Sequence, residues 1–111
     1  MSIFLAQREK TDRQRHRRAL AMARKLTLFL RRKYQPKRVV LIGSCCQPGR
    51  FNHQSDIDLC VEGLTPGRYF QTAGELLMES GEFQVDLIPA EGASPRLQER
   101  LRVGKVLYEK K

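Results

Sequence analysis

Between Thr11 and Tyr34 the apolar residues Ala19, Met22, Ala23, Leu26, Phe29 and Leu30 recur at helical intervals, with Arg and Lys between them. That spacing predicts an amphipathic α-helix. Thr11 followed by Gln14 matches a capping box and sets the expected start, while Pro36 forces the chain out of helical geometry just after Tyr34. Arg38 to Ile42 is a run of Val, Leu and Ile ending at Gly43, the pattern of a buried strand that enters a tight turn. Ile57 to Val61 predicts a second strand, closed by Gly63. Thr65 and Pro66 form a helix start, a capping hydroxyl followed by Pro at the first helical position. Phe70, Ala73, Leu76 and Leu77 are the expected buried stripe of that helix, and Gly81 its end. Phe83 to Ile88 predicts the third strand. Ser94 and Pro95 repeat the start signal for a helix carrying Leu97 and Leu101 and stopped by Gly104. Val106 to Tyr108 reads as a short last strand or an ordered tail.

Strands and helices thus interleave without internal repeat or low-complexity linker, which predicts an α/β (α+β) fold. The 111 residues suit one domain, residues 1–111, with a basic amino-terminal helix over 1–36 and a core over 37–111. A chain of this size buries roughly two thirds of its unfolded surface.

Charge changes this picture at one end. Residues 1–38 hold 13 Lys and Arg against Glu9 and Asp12, while residues 39–111 hold 8 against 10 acidic residues, so the net +9 belongs to the first segment. Such a block attracts an acidic protein surface, nucleic acid or polyphosphate, or simply forms a solvated helix face. The first apolar run, Ile3 to Ala6, is too short for a signal-peptide core, and nothing approaches the ~20 apolar residues of a membrane span. No membrane association is expected. Three cysteines, two of them adjacent at Cys45 and Cys46, form no CxxC pair and no even disulfide framework. A reducing cytoplasm is the expected compartment.

The chemistry is concentrated in residues 41–63, LIGSCCQPGRFNHQSDIDLCVEG. Residues two apart on a strand share a face, so Asp56 and Asp58 put two carboxylates side by side at roughly 7 Å, with Ile57 and Leu59 turned to the core. Like charges so placed raise a pKa unless a cation joins them, and magnesium is usually held by one or two carboxylates plus substrate phosphates. Gly43 and Ser44 follow a hydrophobic strand at a turn, where Gly admits close backbone approach and Ser offers a hydroxyl beside free amides. Such a turn can hold a triphosphate. Asp86, in Phe-Gln-Val-Asp-Leu-Ile, adds a third carboxylate between core-facing Val85 and Leu87. Three carboxylates converging on strands suit a two-metal site for phosphoryl or nucleotidyl transfer.

Val-Val-Leu-Ile-Gly-Ser, Ser-Asp-Ile-Asp-Leu and Phe-Gln-Val-Asp-Leu-Ile together resemble the DNA polymerase beta-like nucleotidyltransferase superfamily, specifically its minimal nucleotidyltransferase members. The likeness covers most of the chain, from the basic helix through Gly-Leu-Thr-Pro-Gly-Arg-Tyr-Phe to Leu-Gln-Glu-Arg. It implies a small mixed sheet flanked by helices, with nucleotide at Gly43, Ser44, Asp56 and Asp58. Asp56, Asp58 and Asp86 would be the catalytic residues and would bind two Mg2+ ions. It also implies ATP as substrate and an antitoxin role beside a HEPN-type ribonuclease toxin, by transfer of AMP to a toxin tyrosine within a hetero-oligomer. The chain departs from the family in its connector: 11 residues separate Ser44 from Asp56, longer by a single residue than is usual. An early connector Arg is replaced by Cys45, Cys46 and Gln47.

Other residues have plainer readings. His16 and His53 lack a second ligand at metal spacing and suit surface or capping positions. Cys45 and Cys46 suit small packing residues, unless a helix start lowers their thiol pKa. Arg68 and Tyr69 could touch nucleotide or a partner, with a helix face as the default, and Arg96, Arg100 and Arg102 read as a solvated face that could also meet an acidic partner. Two functional classes remain: a protein-modifying nucleotidyltransferase, and an antitoxin that neutralises its partner by binding with little or no catalysis. Nucleic acid is not expected as the main partner, because the basic helix lacks interleaved aromatics.

Overall fold

The computed structural model describes residues 3–111. The first helix, α1 (Ile3–Lys33), begins well ahead of Thr11, which lies inside it and donates its hydroxyl to the Gln7 carbonyl at 2.9 Å. The capping-box expectation is therefore corrected. Gln, Arg, Glu and Lys are strong helix formers, so the polar stretch before Ala19 continues the helix without an apolar stripe to reveal it. At the other end the helix stops as expected: Gln35 takes a left-handed conformation (φ 51°) and Pro36 follows. A helix of 31 residues is about 46 Å long, which explains why the molecule measures 50 Å along its longest axis.

Four strands, β1 (Arg38–Ile42), β2 (Ile57–Glu62), β3 (Val85–Pro89) and β4 (Lys105–Glu109), form one sheet in the order β3-β2-β1-β4. β1 pairs antiparallel with both β2 and β4, whereas β2 and β3 run parallel. The sheet is mixed, as expected, and the residues after Lys105 form a true edge strand rather than a tail. β3 starts later than expected, because Phe83 sits in the preceding turn and is buried there.

Alternation along the strands sorts the core into two layers. Val39, Leu41, Ile57, Leu59 and Val61 face α1 residues Ala19, Ala23, Leu26 and Leu30, together with Leu76 of α2 (Tyr69–Glu79). Val40, Ile42 and Cys60 face the opposite way, against Leu97 and Leu101 of α3 (Pro95–Arg102). Ser94 caps α3 by accepting from the Leu97 amide at 3.2 Å. Thr65 makes no such cap; a short 3-10 turn over Pro66–Arg68 precedes α2 instead.

The expected stripe of α2 is also corrected. Leu76 is buried and Ala73 partly so, but Phe70 (88% exposed) and Leu77 (62% exposed) point to solvent. The inner face runs through Tyr69, Ala73 and Leu76, with Thr72 buried beside it and donating to the Arg68 carbonyl at 2.7 Å. Glu75 fastens α2 to the end of α1, accepting from Lys33 and Tyr34 at 2.7 Å each.

Candidate active site

Asp58 and Asp86 are register partners across the parallel β2–β3 pair, and Ile42 lies opposite Asp58 across β1–β2. Because Ile57, Leu59, Val85 and Leu87 all pack toward α1, the two carboxylates between them stand on the α3 face. Asp56 immediately precedes β2 and is half-buried. Its charge adds to the pressure on Asp58, after burial, the Asp86 charge and a hydrogen bond with Asp86. These effects, against the opposing Arg100, raise the Asp58 carboxyl to about 6. Asp86 itself is exposed at the sheet edge.

Gly43 follows Ile42 directly and opens a 3-10 turn, Gly43–Cys46. Its φ of 78° favours glycine, and a Cβ there would stand 2.7 Å from Asp58 Oδ2. The turn thus lies against Asp58, one member of the carboxylate pair. Ser44 is half-buried, and among the described residues its hydroxyl has no partner. The opening amides of a helical turn have no carbonyl within it to bind, so they are free for an anion.

Arg100 completes the group. Its Nη2 donates to Asp58 Oδ2 at 3.2 Å and would lie 3.4 Å from a Gly43 Cβ. The solvated-face reading of Arg100 is thereby corrected. Its position three residues after Leu97 and one before Leu101 puts it at the margin of the inward face of α3, a signal present in the sequence. Tyr69 is a second such residue: burial first and then the Asp86 charge push its phenol up.

Among the described residues, no three His, Cys, Asp or Glu side chains are gathered as a ready metal cage. The carboxylates nevertheless fit Mg2+. Asp58 and Asp86 form a like-charge pair under strain from burial, and Mg2+ needs only one or two carboxylates when phosphates and waters supply the rest. Asp56, Asp58 and Asp86 are the residues that would hold it.

Cys45 is buried, and burial first, then the neighbouring Cys46 and Asp58, push its thiol up to about 12. It is a packing residue, not a nucleophile. His16 lies between α1 and this turn rather than at the surface. Its Nε2 is 2.6 Å from the Cys45 carbonyl and its ring stacks on Phe51 at 5.2 Å. Arg15 and Arg18 are likewise committed, both pairing with Glu82 at 3.2 Å.

A mixed sheet with a glycine turn facing paired aspartates defines a nucleotidyl-transferring class of fold. The family described as "Polymerase beta, Nucleotidyltransferase" matches residues 24–111, and the chain belongs to it. It is thus an enzyme of the nucleotidyltransferase type. No curated protein matches it significantly. Among solved structures it is similar to a toxin-antitoxin with AMP-PNP: 28% identity, TM-score 0.63, covering 79% of this chain and 74% of that one. A mutant of the toxin-antitoxin MntA-HpeT gives 26% identity, TM-score 0.63, and 78% and 72% coverage. A Shewanella oneidensis complex of a tri-AMPylated HEPN toxin with an MNT antitoxin shares 23% identity, with TM-score 0.61 and 83% and 73% coverage, a likeness of fold. No described helix is long and apolar enough to cross a membrane.

Proposed function

We propose that this chain is a Mg2+-dependent protein adenylyltransferase that moves AMP from ATP to a hydroxyl, a tyrosine by family resemblance, of a HEPN-type toxin, and so acts as its antitoxin. The observation that carries this reading is the pairing of Asp58 with Asp86 beside the Gly43 turn. The neighbour with AMP-PNP supports ATP, and the toxin complexes support a hetero-oligomer. Residues 37–111 form the catalytic core in this reading and residues 1–36 the docking helix. A cytoplasmic setting agrees with three free cysteines.

The amides and Ser44 hydroxyl of the Gly43–Cys46 turn would hold the triphosphate, and Asp56, Asp58 and Asp86 would hold the Mg2+ that arrives with it. That ion would neutralise charge on the transferring phosphate and lower the pKa of the acceptor hydroxyl. Asp86, exposed where an acceptor side chain can reach it, takes the acceptor's proton. Oxygen of the acceptor then bonds to the α-phosphorus of ATP and pyrophosphate leaves. Incubation of the chain with labelled ATP, Mg2+ and its genomic neighbour tests this: label on the neighbour, lost when the tyrosines are replaced by Phe, is the expected result, and an unlabelled neighbour overturns it.

One observation favours a second reading. Arg100 pairs with Asp58 at 3.2 Å and so occupies one oxygen of a carboxylate that catalysis would need for the metal, as would suit an antitoxin that acts by binding alone. Full neutralisation of the toxin without label transfer would select it.

A further inference from the structure

The first two thirds of α1, Ile3–Ala23, wall a cavity against the glycine turn and the start of β4. Arg13, Arg17 and Leu20 form one wall, and Cys46, Pro48 and Lys105 lie on the other sides of a space of about 380 Å³. Arg13, Arg17 and Lys105 are exposed, and none has an acidic partner among the described residues. Glu9 and Asp12 line an adjoining cavity that shares Arg13, His16 and Gly49 with this one, and neither pairs with Arg13 or Arg17 among the described residues.

A second cavity, of about 460 Å³, opens at the far end of β4, lined by Leu28, Arg31, Arg32, Gln35, Tyr108 and Lys110. Arg31 stacks on Tyr108 at 4.4 Å, while Arg32 and Lys110 are unpaired among the described residues. Arg17, Arg24 and Arg31 recur every seven residues, so they lie along one side of α1. At about 1.5 Å per residue, Arg17 and Arg31 stand about 21 Å apart. The result is a line of cations between α1 and an edge strand, with a cavity at each end.

We propose that this line is a binding site for the phosphodiester backbone of single-stranded RNA, seated first in the cavity formed by Arg13, Arg17 and Lys105. A narrow polyanion can lie between two walls and neutralise cations along their length, whereas the carboxylates of a folded acidic surface project from a convex body. Sparse aromatic residues make the site a reader of backbone rather than of bases. The site does not depend on the transfer chemistry proposed above.

The test is fluorescence anisotropy of the full chain with a short labelled uridine oligonucleotide across a salt series. Replacing Arg13, Arg17 and Lys105 together by Ala should weaken binding at low salt by at least ~10-fold and flatten the log–log salt dependence by about 2, the loss of three single-strand phosphate contacts. A control with the same charge change, Arg8, Arg50 and Arg96 to Ala, should lose less than ~3-fold, since scattered charges contribute only long-range attraction. Equal losses in the two variants would reduce the effect to net charge and overturn the proposal. So would the absence of RNA binding by the unaltered chain. Displacement of the RNA by poly-glutamate at the same charge concentration would assign the site to an acidic protein segment instead.

Discussion

Arg100 Nη2 lies 3.2 Å from Asp58 Oδ2, so a cation from the last helix sits beside the carboxylate that the glycine turn approaches from the other side. An internal counter-ion of this kind stabilises the metal-free protein and competes with any cation that Asp58 is meant to hold. Arg100→Ala should therefore act with two signs. The metal-free protein should lose about 1 kcal/mol, typical of a partly exposed ion pair, while its rise in Tm on adding Mg2+ should grow. Differential scanning fluorimetry with and without Mg2+ measures both, and a smaller Mg2+ response in the variant would show that Arg100 is no competitor.

Asp56→Asn combined with Asp58→Asn removes two of the three charges that would hold the cation. The double variant should melt without a Mg2+-dependent or ATP-dependent rise in Tm. Calorimetry that finds the original metal response intact would place the ion elsewhere.

Asp86→Asn is nearly isosteric at an exposed position, so β3 should stay folded. Transfer should fall by at least ~100-fold, the low end of a general-base contribution, with ATP affinity largely kept. Single-turnover transfer alongside ATP titration separates the two, and transfer that survives in the variant would remove Asp86 from the chemistry.

Asp58 also predicts a pH dependence. Burial and the Asp86 charge raise its carboxyl from 3.8 to about 6. The folded chain therefore binds more protons than the unfolded one between those values, and the contribution to stability falls as pH rises through that window. The full shift corresponds to ~3 kcal/mol, and solvent screening of a half-buried group leaves about 1–2 kcal/mol. Glu75 acts with the opposite sign: held near 2 by hydrogen bonds from Lys33, Tyr34 and Gln71, it loses its contribution as pH falls below its unfolded value of 4.5, and so opposes the Asp58 effect only in the acid part of the window. Above 4.5, urea midpoints of the metal-free chain should drop as pH rises to about 6, and the drop should be smaller in Asp58→Asn.

The strands were legible because short Val, Leu and Ile runs bounded by glycine have few alternatives, and β1 falls where its pattern put it. The positions of Gly43, Asp58 and Asp86 followed from strand alternation and turn placement, both local properties. Tertiary effects were not legible. Tyr69 rather than Phe70 joins the inner face of α2, a rotation set by how the helix packs on the core rather than by its own periodicity. Arg15 and Arg18, part of the basic block of the first segment, are held by Glu82 from a distant turn. The start of α1 was hidden because a projecting helix has no buried stripe. Arg100 was visible only as a residue at the margin of a helical face, and its link to Asp58 needed the packing of α3 on β1.

The parallel pairing of β2 with β3 also has a meaning for the order in which the chain assembles. An antiparallel neighbour can form by a local turn, but a parallel one requires a crossover, here the whole of α2, to close first. Contacts between residues far apart in sequence form slowly. Asp58 and Asp86 therefore meet after β1 and β2 have paired, so the carboxylate pair is absent from the earliest folding states. During synthesis, a nascent chain interrupted before Val85 would already contain the glycine turn yet lack the partner carboxylate of the finished fold.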